Sequence, residues 1–99
     1  MNEIKIGQSV VGIEAHDDND LFVGVNGKVI GIGETLILVE FESDISGHDG
    51  HNAHGIILDD YDKEYKLFPV GKQDHCWYIN LFDWDDYLKV IDEYKTELI

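Results

Sequence analysis

The sequence predicts a small antiparallel β-barrel of the SH3-like kind, mostly β, with a long inserted loop or hairpin and at most one short helical turn. Three observations carry that expectation. Five short runs are rich in β-branched and aromatic residues, two of them joined by a turn tight enough for an antiparallel hairpin. The chain has 99 residues, enough for one domain over 1–99 and one modest core. A barrel also leaves no bare sheet edge, which matters in so short a chain.

The elements follow in order. Gln8 to Ala15 reads as the first strand, and Asp17-Asp18-Asn19-Asp20 breaks it as a polar loop. Leu21-Phe22-Val23 continues the sheet or packs beneath that loop, and Asn26-Gly27 reads as a tight-turn dipeptide. Lys28 to Ile32 is the next strand, Gly33-Glu34 the next turn, and Thr35 to Phe41 the strongest strand, apolar enough to be buried on both faces. Residues 42–74 form a long insertion, glycine-, histidine- and aspartate-rich at first, with an extra hairpin expected from Ile56–Leu58 and Tyr65–Phe68. His75 to Asn80 is again a strand. At the end, Trp84, Tyr87, Leu88, Ile91 and Leu98 fit a helical stripe, while Leu88–Ile91 fits a closing strand after a turn at Asp83–Asp86. The turn-plus-strand reading is preferred. The expected core is Val10, Ile13, Val29, Ile37, Val39, Phe41, Trp77, Ile79 and Val90.

Charge is the outstanding compositional feature. Twenty-one carboxylates face seven lysines and no arginine, a net charge of −14. Residues 1–41, 42–74 and 75–99 carry −5, −5 and −4, so the charge belongs to the whole fold and not to a tail. Such a field repels nucleic acid and anionic membrane and steers basic proteins inward. The single cysteine, Cys76, rules out an intrachain disulfide, and Met1 to Lys5 lacks the basic and apolar segments of a signal peptide. The expected location is the cytoplasm.

Several constellations invite chemistry. His48, His51 and His54, with Asp49, His75 and Cys76, contain zinc-type ligands, but their spacing matches no finger and a glycine-rich loop does not preorganise them. The competing reading is a loop held by hydrogen bonds from His48 and His75 to backbone. Cys76 beside His75 resembles a nucleophile and its base, yet neighbours in a strand point to opposite faces, which makes Cys76 a small core residue. Asp60, Asp62 and Glu64 begin like a calcium loop, which fails where Tyr65 replaces the glycine and Gly71 the terminal glutamate. No catalysis, metal or other cofactor is expected.

The runs Asp59-Asp60-Tyr61-Asp62 and Asp83-Trp84-Asp85-Asp86-Tyr87 interleave carboxylates with aromatics. Carboxylates can stand in for phosphates while flat rings supply rigid contact area. The expected partner surface is therefore Asp59, Asp60, Tyr61, Asp62, Asp83, Asp85 and Asp86, with Trp84 and Tyr87 as alternative core residues. The expected partner is a basic protein, with no direct nucleic acid and no membrane; self-association into a homodimer stays open.

Specific residues also carry a resemblance. Ile6-Gly7-Gln8-Ser9-Val10, Gly27-Lys28-Val29-Ile30, Val39-Glu40-Phe41, Gly47-His48-Asp49-Gly50 and His75-Cys76-Trp77-Tyr78 occur in an order that resembles a loose group of small bacteriophage-encoded SH3-like barrels. In that group a G-H-D/N-G loop precedes a G-H-C-W-W/Y strand and a short final strand. The resemblance covers roughly residues 4–92. The chain departs from it at Asp74, where the group has glycine, and in the inserted Ile56–Phe68 segment. The group has no common activity to carry over. The resemblance implies the fold, a structural role for His48 and for His75-Cys76, and a phage context. There, small acidic proteins often inhibit host enzymes or defence systems. The other readings are a protein that sequesters a small molecule or nucleotide with the 47–55 loop and the His75–Tyr78 strand, and a virion accessory protein.

Overall fold

In a computed structural model that describes residues 3–51 and 68–91, five antiparallel strands form one curled sheet in the order β4-β3-β2-β1-β5. They are β1 (Ser9–Gly12), β2 (Asn26–Ile32), β3 (Leu36–Phe41), β4 (Cys76–Asn80) and β5 (Leu88–Val90). A 3-10 segment, Leu81–Asp86, joins β4 to β5, the two edges of the sheet, as an SH3-like barrel requires. Asn80 caps it, its side chain accepting from the Phe82 amide at 2.7 Å, and Asp83 interrupts it with φ −135° and ψ 31°. Over residues 81–91 the turn-plus-strand reading is thus the right one.

The strands form where alternation and turn chemistry agree. β2 and β3 pair from Gly27↔Phe41 to Ile32↔Ile37, with a register shift between Val29 and Gly31, and close at Gly33, whose amide bonds the Leu36 carbonyl at 2.8 Å. In β3, Ile37, Leu38 and Val39 are fully buried, so this strand is covered on both faces. One face meets the main core of Val10, Phe22, Val29, Ile37, Val39, Phe41, Ile79, Trp84 and Leu88. The other meets a smaller cluster in which Leu38, Cys76 and Phe68 pack with Ile30, Leu36 and Tyr78.

Three expectations change. Asn26-Gly27 is not a turn but the start of β2, paired with Val11 and Val10; the chain reverses earlier, where Gly24 has φ 82°. A side chain at Gly27 would lie 2.9 Å from the Glu40 carbonyl oxygen, so this glycine serves close strand approach. Ile13 is 44% exposed, because Val10 points inward and a strand of period two sends residue 13 outward. Phe22 fills the space instead. It lies against Gly12, where any β-carbon would collide with it, and stacks on Phe41 at 5.2 Å. Trp77 and Val90 are half-buried at the rim of the core. The hairpin expected from Ile56–Leu58 and Tyr65–Phe68 lies outside the described residues, apart from Phe68 itself. Among the described residues no helix is long and apolar enough to cross a membrane.

Candidate functional site

The β1–β2 loop is organised at its tip. His16 and Asn19 exchange two backbone hydrogen bonds, at 3.1 and 2.9 Å, around Asp17 and Asp18. Both aspartates have positive φ, 51° and 67°, the pattern of a primed hairpin turn, and aspartate tolerates it better than most residues. Asn19 holds the tip down, its Nδ2 donating to the Ile45 carbonyl at 3.1 Å and its Oδ1 accepting from the Leu21 amide at 2.8 Å. His16 ties the tip to the barrel. Its Nδ1 accepts from the Trp77 indole Nε1–H at 3.0 Å, and its ring meets Tyr87 edge to face at 4.6 Å.

Tyr87 lies where this loop meets the 3-10 segment. Its hydroxyl is raised above its ordinary value, first by desolvation and then by the charges of Asp83, Asp86, Asp17 and Glu14. Two carboxylates of the 3-10 segment and two of the β1–β2 loop therefore act electrostatically on one aromatic group. A neighbouring cation would be attracted by all four, with the partly exposed edge of Tyr87 as contact area.

Of the predicted partner residues, Asp83 and Asp86 are brought to this place. Asp85 is exposed beside a depression of about 340 Å³ lined with Ile13, Trp84, Leu88, Lys89 and Val90. Asp83 is partly buried, and its Oδ1 has no hydrogen-bond partner among the described residues. Asp59, Asp60, Tyr61 and Asp62 lie outside the described residues. Trp84 is buried in the core and Tyr87 packs at its edge, so the aromatic members of the second run face inward more than outward. Glu14 and Asp17 were not predicted. The signal for Asp17 is the Asp17–Asp20 run, while Glu14 falls within the strand expected over Gln8–Ala15, which ends at Gly12 in the structure; sequence alone does not show that this loop folds against the 3-10 segment.

The histidine-glycine loop is a structural cover along the described residues. His48 pairs with Cys76 through two backbone hydrogen bonds, at 3.0 and 2.9 Å, which extends the sheet past the outer edge of β4. Gly47 must lack a side chain there, since a β-carbon would strike the Cys76 carbonyl oxygen. The buried His48 ring stacks on Tyr78 at 5.2 Å and on Trp77 at 5.7 Å, and its Nδ1 accepts from the Gly50 amide at 2.9 Å. His75 Nδ1 donates to the Phe41 carbonyl at 2.8 Å. These are the backbone bonds expected of His48 and His75. His51 joins them unexpectedly, its Nε2 donating to the Phe68 carbonyl at 2.6 Å; His54 lies outside the described residues.

Cys76 is fully buried, and its thiol is pushed up to about 12, by desolvation first and then by the charges of Glu40 and Asp49. A thiol held in its protonated form is a poor nucleophile. Among the described residues no three histidine, cysteine or carboxylate side chains converge as a metal site. No protein-family model matches the chain, and no curated protein or solved structure is significantly similar to it.

Proposed function

We propose that this chain is an acidic binding protein that inhibits a basic partner by occupying its positively charged, nucleic-acid-binding groove. One observation carries the reading: the charges of Asp83, Asp86, Asp17 and Glu14, from two segments far apart in sequence, all act on Tyr87, whose ring meets His16. Carboxylates and an aromatic ring in one region offer a basic groove negative charge and a flat surface, much as a nucleic-acid strand offers phosphates and bases. The net charge of −14 extends the same field over the whole surface and speeds the encounter. The resemblance to phage-encoded barrels supports a host or defence protein as the target and the host cytoplasm as the place of action. The sequestering alternative would use the 47–55 loop and the His75–Tyr78 strand; residues 52–55 of that loop lie outside the described residues, and Gly47 and Gly50 are already close to Cys76 and Leu38.

The test is association with a captured basic partner as a function of salt. Raising ionic strength from about 0.1 M to about 1 M shortens the Debye length from about 10 Å to about 3 Å. Association should slow by one to three orders of magnitude, roughly, over that range. A variant combining Glu14→Gln, Asp17→Asn and Asp86→Asn should associate more slowly at low salt and should compete less well with DNA for the partner. A rate indifferent to salt, or a triple variant that binds like the parent, would sink the reading.

A further inference from the structure

We infer that His16 is a pH-operated latch, which holds the acidic tip of the β1–β2 loop against Trp77 when neutral and releases it when protonated. The inference concerns the loop alone and does not depend on the existence of a basic partner. An indole N–H can only donate, so the 3.0 Å bond from Trp77 Nε1 requires a lone pair on His16 Nδ1. The imidazole is then neutral, with its proton on Nε2. The same Nδ1 lies 3.8 Å from the Asp17 carboxylate, which can only accept.

Two groups thus compete for one nitrogen, and the proton decides between them. When Nδ1 gains hydrogen it faces the Trp77 N–H as donor against donor, and that bond is lost. The imidazolium then pairs with Asp17, which is 82% exposed and free to turn toward it. Among the other groups nearby, Tyr87 touches the His16 ring, and Asp83 and Asp86 of the 3-10 segment and Glu14 of the loop act on Tyr87. His48, stacked on Trp77, is the other titratable ring in contact with that indole.

Releasing His16 removes one side-chain tie of the tip and leaves another, Asn19 Nδ2 on the Ile45 carbonyl. It also frees a turn whose central residues, Asp17 and Asp18, both hold unfavourable positive φ. The acidic tip should therefore move as pH falls through the imidazole range.

The test is nuclear magnetic resonance of the two indole N–H groups from about pH 8 to about pH 5, the window in which imidazoles titrate. Trp77→Phe identifies the Trp77 signal. It should shift with the same midpoint as the His16 ring protons, while the Trp84 signal stays in place. His16→Asn puts an amide oxygen near the Nδ1 position, so the Trp77 bond should persist and its pH dependence should vanish. Asp17→Asn, which removes the negative charge that favours the protonated ring while keeping an acceptor oxygen, should move the transition to lower pH. A Trp77 signal that ignores the His16 titration, or one that titrates unchanged in His16→Asn through His48, overturns the latch. Should His16→Asn fail to fold, the tautomer of wild-type His16 above its titration decides: hydrogen on Nε2 supports the latch, and hydrogen on Nδ1 refutes it.

Discussion

The two faces of the sheet are covered by different means. On the inner face Val10, Phe22, Val29, Ile37, Val39, Phe41, Ile79 and Leu88 fill space with side chains, and burial of apolar volume holds them. On the outer face Leu38, Cys76 and Phe68 form a thin layer sealed by close backbone approach. There a β-carbon on Gly50 would sit 2.8 Å from Leu38, and one on Gly31 or Gly71 would collide with Phe68 or Cys76. Polar pins complete it, with the Tyr78 hydroxyl donating to the Gly50 carbonyl at 2.6 Å and His51 to that of Phe68. β3 serves both faces. The inner layer should therefore set the stability of the domain, and the outer layer the access to β3 and β4.

Cys76 reports on the outer layer and gives the largest effect. With its thiol raised from 9.0 to about 12, the thiolate fraction near neutrality falls about a thousandfold. Alkylation by iodoacetamide at pH ~8 should be slower than in the urea-unfolded chain by at least that factor, since burial also blocks approach. A native rate close to the unfolded one would mean that the outer layer is open and the comparison false. The sign of the linked stability is fixed. The unfolded thiol loses its proton near 9 while the folded one keeps it, so this contribution is present below about 9 and is lost as pH rises toward about 12. Urea midpoints of the wild type should fall more steeply above pH ~9 than those of Cys76→Ala.

A paired substitution measures the two layers directly. Phe22→Ala empties the inner core beneath Gly12 and should cost about 3–5 kcal/mol. Tyr78→Phe keeps the ring but deletes the hydroxyl that reaches Gly50, and should cost about 1 kcal/mol. Urea unfolding followed by circular dichroism gives both values, provided the slopes agree. The comparison fails if Tyr78→Phe is as damaging as Phe22→Ala. It sharpens if Tyr78→Phe speeds Cys76 alkylation more than its stability loss explains, because the outer layer then opens on its own.

What could be read in the sequence follows the same division. The five strands and the inner core were legible because period-two alternation over Val10, Val29, Ile37, Val39 and Ile79 is a local signal. It misleads at Ile13, which the parity set by Val10 turns outward, and at Asn26-Gly27, where strand pairing overrides a favoured turn dipeptide. The outer layer was legible only as a loop bonded to backbone by His48 and His75; the part of His51 depends on Phe68, 17 residues away. The candidate site was half legible. Asp83 and Asp86 stood in an acidic-aromatic run, but their meeting with Glu14 and Asp17 depends on tertiary folding of two distant segments.

The smallest effect concerns Asp74. Residues 72–75 form a turn closed by the His75 amide on the Lys72 carbonyl at 3.1 Å, and Asp74, its third residue, has φ 72°. That is the left-handed position of a type II turn, which glycine fills without a steric penalty. The turn also anchors the histidine loop, since the Asp74 carbonyl accepts from the Ile45 and Gly47 amides, each at 3.0 Å. Those bonds use backbone alone and survive any substitution that keeps the turn. Asp74→Gly removes a left-handed penalty of about 1 kcal/mol, less for aspartate than for most residues. It adds an unfolded-state entropy cost of up to about 1 kcal/mol, so the two nearly cancel. The expected gain is a few tenths of a kcal/mol, roughly, read as a higher urea midpoint at unchanged slope. Asp74→Asn keeps the left-handed tolerance and removes the charge, and should sit between aspartate and glycine. Asp74→Ala should be less stable than all three, because alanine lacks both the freedom of glycine and the local bonding of aspartate. If alanine proves equal to glycine, the turn does not need its left-handed residue, and the outer layer is anchored less firmly at residues 72–75 than these bonds imply.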